Sequence, residues 1–172
     1  THCHSSAVVM ALINAKKKGK KFEVYNTETR PLFQGRKTSR DLKKAKIKNT
    51  MFTDSAAGIA LTKSQDTKKA DLFLIGADAI TKNGVINKVG SGMFAQIARA
   101  NEIPVYILTD SLKYSKKKIK IEKRNPEEVW DSKNTKIKNP AFELIKKKYI
   151  TGIISELGIL SHREFLRKVR KN

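Results

Sequence analysis

Short apolar, β-rich runs alternate along this chain with stretches whose apolar residues recur at helical spacing. Ala70-Asp71-Leu72-Phe73-Leu74-Ile75 and Ile103-Pro104-Val105-Tyr106-Ile107-Leu108 are nearly continuous apolar runs, the pattern of strands buried on both faces. Phe22-Val24-Tyr25, residues 48–53 and Gly152-Ile153-Ile154-Ser155 read as further strands. Between them the pattern predicts a helix from about Ala7 to Lys18 capped by Ser5-Ser6, and one starting at Thr38-Ser39-Arg40-Asp41 and ending near Ile47. A small-residue helix over 55–63, another over 91–100, and a last one opened by the capping box Ser161-His162-Arg163-Glu164 complete the set.

Strands alternating with helices imply right-handed crossovers and a mainly parallel sheet covered on both faces, an α/β, Rossmann-like three-layer architecture. At 172 residues the chain is long enough for one cored domain, expected to span 1–172. Ligands of such sheets bind where the carboxyl ends of strands lead into loops, so Cys3, Glu28 to Arg30, Asp54, Asp78 and Asp110 are expected along one rim. Residues 121–138, with Asn125-Pro126 and Trp130, read as an irregular excursion. Thr1-His2-Cys3-His4 carries no initiator methionine and reads as the tail of a strand, so an upstream portion is expected.

The formal charge of +21 changes the picture less than its size suggests. Lysine supplies 29 of the 37 basic residues, grouped at 16–21, 43–48, 113–123 and 146–148 with few arginines or aromatics among them. Nucleic-acid readers lean on arginine forks and stacking rings, so solvated lysine faces are the favoured reading and specific nucleic-acid binding is not expected. No run approaches the ~20 apolar residues of a membrane helix and no leader pattern is present, so a cytoplasmic location without a membrane partner is expected. The single cysteine, Cys3, forms no internal disulfide.

Cys3 precedes a helix start and is flanked by two histidines, which predicts a thiol lowered toward a reactive thiolate; a small buried cysteine is the equal alternative. Three adjacent residues cannot all face one ion, so no zinc site is expected. Asp78 stands at the mouth of a buried strand, where desolvation raises a carboxyl toward a proton carrier; a plain loop cap is the alternative. Ile86-Asn87-Lys88-Val89-Gly90-Ser91-Gly92 leads through glycines into a helix, with Lys88 as a point charge, a candidate phosphate cradle or an ordinary turn. Arg30 with Gln34-Gly35-Arg36 offers guanidinium groups that bind an anion or pair with surface carboxylates.

Taken jointly, THCHSSA (1–7), TETRPLFQGRKTSRDL (27–42), DSAAG (54–58), GADAITKNGVINKVGS (76–91) and NPAFELI (139–145) resemble the family uniting archaeal ribose-1,5-bisphosphate isomerase, methylthioribose-1-phosphate isomerase and the regulatory subunits of eukaryotic initiation factor 2B. The match runs over essentially the whole chain and implies the carboxy-terminal domain of a longer protein. The resemblance implies that Cys3 accepts a proton and Asp78 donates one, and that Ser5, Ser6, Ala7, Asn87, Lys88 and Lys113 contact substrate, with Arg30 and Gln34 shaping the pocket. THCHS, TETRP and GADAIT resemble the ribose-bisphosphate branch, which implies interconversion of ribose 1,5-bisphosphate and ribulose 1,5-bisphosphate in AMP salvage, without a metal or cofactor, in a dimer or hexamer. A noncatalytic regulatory subunit that binds a nucleotide or sugar phosphate, and a methylthioribose-1-phosphate isomerase, are the competing readings.

Overall fold

The apolar runs of the sequence become neighbouring parallel strands in the computed structural model, which describes residues 1–64, 66–117 and 119–170. In chain order the elements are α1 (Ser6–Lys17), β1 (Val24–Thr27), α2 (Gln34–Lys44), β2 (Asn49–Phe52), α3 (Ala57–Leu61), β3 (Phe73–Ile75), β4 (Ala79–Thr81), β5 (Gly84–Lys88), α4 (Ser91–Ala100), β6 (Val105–Leu108), β7 (Phe142–Lys146), β8 (Gly152–Ser155), β9 (Gly158–Leu160) and α5 (His162–Val169). β3, β6 and β8 run parallel, with β9 antiparallel at the edge, and β1 pairs β2 in parallel. The chain has an α/β, Rossmann-like architecture.

The core forms where the strand side chains Phe73, Ile75, Ile107 and Ile153 meet Phe94, Ala95 and Ala98 of α4 and Phe165 of α5. Burying each large apolar side chain contributes about 1.5–3 kcal/mol, so this cluster outweighs any single polar contact in the fold. The capping box of α5 forms as its sequence predicts: the Ser161 hydroxyl accepts from the Glu164 amide, and the Glu164 carboxylate accepts from the Ser161 amide. Residues 121–138 are irregular apart from an isolated bridge of Lys123 to Pro140 and a 3-10 turn at Pro126–Glu128. Lys118, within the lysine run 113–123, lies outside the described residues.

Three features depart from the sequence reading. First, the strands form three hydrogen-bonded sheets, because residues 79–88 fold into a β4-β5 hairpin that recruits β7 into an antiparallel sheet of its own. Gly84, at φ +148, makes this possible: a Cβ there would lie 2.0 Å from the Ile145 carbonyl oxygen. Second, α2 begins at Gln34, one turn before Thr38. Phe33 enters the left-handed region at φ 57 and Gly35 seats directly on β1, where a Cβ would lie 1.6 Å from the Thr27 carbonyl oxygen. Tertiary contact thus starts the helix, and the Thr38 hydroxyl donates to the Cys3 carbonyl. Third, a cavity of about 860 Å³ separates β1 from β3, lined by Val24, Tyr25, Phe73 and Leu74 among others, and neither Cys3 nor Asp78 lines it.

Candidate active site

Residues 1–3 run beside β1, and their backbone is tied to it. The Thr1 nitrogen donates to the Tyr25 carbonyl at 2.8 Å, and the Cys3 amide donates to the Thr29 hydroxyl at 3.0 Å. His2 lies between them, almost fully buried, its ring stacked on Phe94 at 5.1 Å. The Val89 carbonyl only accepts, so His2 Nε2 carries the proton toward it (2.9 Å) and Nδ1 accepts from the Thr27 hydroxyl (2.6 Å). His4 is fixed the opposite way. Thr38 already donates to Cys3, so His4 Nδ1 donates to the Thr38 hydroxyl at 3.1 Å while Nε2 accepts from Lys37. With these nitrogens occupied, the histidines hold the loop around Cys3 in place.

Cys3 and Thr29 both adopt left-handed backbone, at φ 66 and 64. A β-branched threonine there is strained, at a cost of about 1–3 kcal/mol, and persists only where its surroundings hold it. Asp54 supplies that hold: its two carboxylate oxygens accept the amides of Thr29 (2.9 Å) and Arg30 (2.6 Å). The sequence places Asp54 on the rim; its role as the clamp of the 29–30 turn emerges only from the coordinates.

The thiol of Cys3 is buried, and desolvation pushes it above the ordinary thiol value, which corrects the lowered pKa expected from the helix start. The His4 amide and the Lys88 charge pull in the other direction without prevailing, and the charges of Asp78 and Asp54 add to the rise. The Asp78 carboxyl is also pushed up, chiefly by desolvation, against the opposing charges of Lys113 and Lys88. The charge of Lys88 is therefore felt at both Cys3 and Asp78, and that of Asp78 at Cys3. Among the described residues the Asp78 carboxylate has no hydrogen-bond or ion-pair partner. The residue is exposed.

Lys88 is buried at 8% exposure, its ammonium 4.7 Å from the centre of the Phe142 ring, and among the described residues it has no hydrogen bond and no salt bridge. Its field reaches Glu128, but that carboxylate is occupied by Arg124 and Asn139. A buried cation without a partner is costly unless an anion completes it. Asn87 is buried beside it, its amide donating to the Ser91 hydroxyl at 3.0 Å. Lys113 follows β6 and donates to the Ala77 carbonyl at 2.6 Å, next to Asp78.

At the start of α1, Ser5 is the cap, its hydroxyl accepting the Val8 amide, and it packs so tightly that a Cβ on Gly76 would lie 2.5 Å from its Oγ. The amides of Ser6 and Ala7, both exposed, have no hydrogen-bond partner among the described residues. The expected cradle at the start of α4 is different. There the Glu143 carboxylate already accepts from the amides of Gly90 (2.6 Å) and Gly92 (2.9 Å), so those donors are not free for a phosphate. Arg30 is turned outward, donating to the Val129 carbonyl and lying over Phe33, and Arg36 pairs with Glu28. Gln34 keeps a buried Oε1 with no partner among the described residues. Asp110 heads the 3-10 turn Ser111–Lys113 and is not among the charges that act on Cys3 or Asp78.

The family described as the initiation factor 2 subunit family matches residues 1–162. The ribose 1,5-bisphosphate isomerase of Methanocaldococcus jannaschii is 38% identical over 170 residues, covering 93% of this chain and 53% of that protein. A methylthioribose-1-phosphate isomerase of Dehalococcoides mccartyi is 35% identical over 182 residues, covering 93% of this chain and 53% of its own. Among solved structures, a translation initiation factor 2B of Pyrococcus horikoshii OT3 superimposes with a TM-score of 0.83 at 32% identity, covering 93% of this chain and 56% of that one. The 5-methylthioribose 1-phosphate isomerase of the same organism gives 0.86 at 27% identity, covering 99% and 53%. The chain spans about half the length of the curated relatives it matches.

Proposed function

This chain belongs to the initiation factor 2 subunit family, and from that premise we propose that it carries the acid, the base and the phosphate-binding cation of a sugar-phosphate isomerase that acts on ribose 1,5-bisphosphate. The observation that carries the reading is the electrostatic reach of Lys88, buried and without a partner among the described residues, to both Cys3 and Asp78. Relatives named ribose 1,5-bisphosphate isomerase, at 38% and 35% identity, support the choice of substrate.

The chemistry follows from a shared proton. The negative charges of Cys3 and Asp78 disfavour one another, so ionising either one makes the other hold its proton more tightly. The reactive arrangement has that proton on Asp78 and the charge on Cys3. Phosphate on the anomeric oxygen blocks ordinary opening to a free aldehyde, so the ring opens by elimination. The Cys3 thiolate takes the proton from carbon 2, the bond between carbon 1 and the ring oxygen breaks, and Asp78 protonates that oxygen. An enediol phosphate results. Cys3 then returns a proton to carbon 1 while the Asp78 carboxylate takes the proton of the carbon 2 hydroxyl, giving the ketone of ribulose 1,5-bisphosphate and restoring both groups. Lys88, Asn87 and the free amides of Ser6 and Ala7 bind the phosphates, and the fixed cation stabilises the developing enolate. Lys113 favours the ionised form of Asp78 that follows proton donation.

The test is conversion of ribose 1,5-bisphosphate, followed by nuclear magnetic resonance, by the full-length protein that contains this chain. Turnover should be lost in Cys3→Ser and Asp78→Asn, and 5-methylthioribose 1-phosphate should react far more slowly. Normal rates in either variant reject the scheme; preference for the methylthio sugar moves the chain to that branch. Similarity to a protein titled translation initiation factor 2B supports a second reading, a noncatalytic subunit, which predicts binding without turnover.

A further inference from the structure

A carboxylate and an ammonium lie one position apart on paired strands, and they do not pair. In the β5-β7 ladder Asn87 is opposite Glu143 and Lys88 opposite Phe142. The two side chains project from opposite faces of the ladder, Lys88 beside Phe142 and Glu143 beside Asn87. On its own face the Glu143 carboxylate lies on the amides of Gly90 and Gly92, at 2.6 and 2.9 Å, at the positive end of α4.

Two glycines admit it. A Cβ on Gly92 would lie 2.7 Å from Glu143 Oε2, and Gly90 adopts φ +101 with the His2 ring where its Cβ would point. The turn is then pinned from other sides as well: His2 Nε2 donates to the Val89 carbonyl, the Val89 amide donates to the Ala141 carbonyl, and Asn87 donates to Ser91. The glycines that resemble a phosphate loop in the sequence thus serve a carboxylate of the protein itself.

We propose that Glu143 is a positioning residue: clamped on the amides of Gly90 and Gly92, it fixes the 87–92 turn and with it the backbone that carries Asn87 and Lys88. The inference rests on the reading of Lys88 as the phosphate-binding cation. It also assigns the phosphate to Lys88 and the start of α1, and excludes it from the start of α4.

A double-mutant cycle with Lys88→Met tests it, with binding of ribose 1,5-bisphosphate measured by calorimetry and the Asp78 carboxyl titrated by nuclear magnetic resonance. Glu143→Ala should weaken binding roughly tenfold, a coupling within the range for residues linked through a shared backbone shift, and should have no further effect once Lys88 is methionine. Gly92→Ala, favoured in a helix but in collision with the carboxylate, should reproduce the loss in a protein that still melts cooperatively; Glu143→Gln, which keeps one acceptor, should lose less. The direction of the Asp78 shift separates positioning from simple charge removal. Deleting a carboxylate by itself lowers the Asp78 pKa, whereas withdrawing Lys88 raises it, and Glu143→Ala should raise it. The proposal is overturned if folded Glu143→Ala and Gly92→Ala bind and titrate as wild type, or if Glu143→Ala has the same effect in the Lys88→Met background. If Lys88→Met itself leaves binding unchanged, the proposed function fails, while the Asp78 titration still decides the role of Glu143.

Discussion

Cys3 and Thr29 are joined at two levels: the amide of one donates to the hydroxyl of the other at 3.0 Å, and both hold left-handed backbone, at φ 66 and 64. Each distortion supports the other, and Asp54 secures the pair by accepting the amides of Thr29 and Arg30. The site is therefore built on a strained turn whose removal should be measurable in stability. Thr29→Ala leaves the buried Cys3 amide without an acceptor and should cost about 1–3 kcal/mol in denaturant unfolding. Thr29→Ser keeps the hydroxyl and should fall within about 1 kcal/mol of wild type. Equal losses in both would mean that the hydroxyl is not what holds Cys3.

Two helical glycines should respond oppositely to the same substitution. Gly35→Ala puts a methyl 1.6 Å from the Thr27 carbonyl oxygen, a backbone atom that cannot swing away, so a loss of about 3 kcal/mol or more is expected. Gly58 has nothing within 4 Å of a built Cβ, and Gly58→Ala should stabilise by about 0.5–1 kcal/mol through helix propensity. Thermal melts of the two variants check the contrast.

Acid should unfold the protein through its histidines. His2, His4 and His162 are all held below the ordinary value of 6.5, burial being the first cause in each. The unfolded chain then binds more protons below about 6.5, so their contribution is present above that pH and is lost as pH falls. Unfolding free energy should drop from pH 7 toward pH 5, and His162→Gln should flatten part of the slope, because burial disfavours the charged ring more than its bond to the Thr81 carbonyl at 2.8 Å favours it.

Asp78 should act in the opposite sense. Its folded-state pKa is raised, so the folded protein holds the proton longer than the unfolded chain does. Stability should therefore fall as pH rises from the ordinary carboxylate value to the raised one, and Asp78→Asn should abolish that segment of the curve. Desolvation is the first cause of the rise, opposed by the charges of Lys113 and Lys88, so the ionised carboxyl is held at a cost to stability.

Much of this was legible in the residues themselves. The continuous apolar runs at 70–75 and 103–108 mark β3 and β6, and Ser91 to Ala100 is α4 to the residue, because buried strands and capped helices leave strong local patterns. The Lys113 ammonium reaches the Ala77 carbonyl beside Asp78, and the charges of Lys88 and Asp78 are both felt at Cys3. The start of α2 was not legible, since Gly35 reaches Thr27 through tertiary contact, and β7 was hidden because FELIK alternates weakly and finds its partner far away in β5. The thiol's pKa went the other way because the burial of Cys3, invisible in a short segment, outweighs the helix start. Glu143 carried one signal, an acidic residue inside an apolar strand that must satisfy its charge on something.

The central claim is that Cys3, Asp78 and Lys88 share one cleft, and the single cysteine allows a direct measurement: titration of the Cys3 Cβ resonance in isotope-labelled protein. The wild-type thiol should titrate above the ordinary value of 9.0, Asp78→Asn should lower it, and Lys88→Met should raise it further. A Cys3 titration that both substitutions leave unmoved would contradict the shared cleft and the acid-base pair built on it.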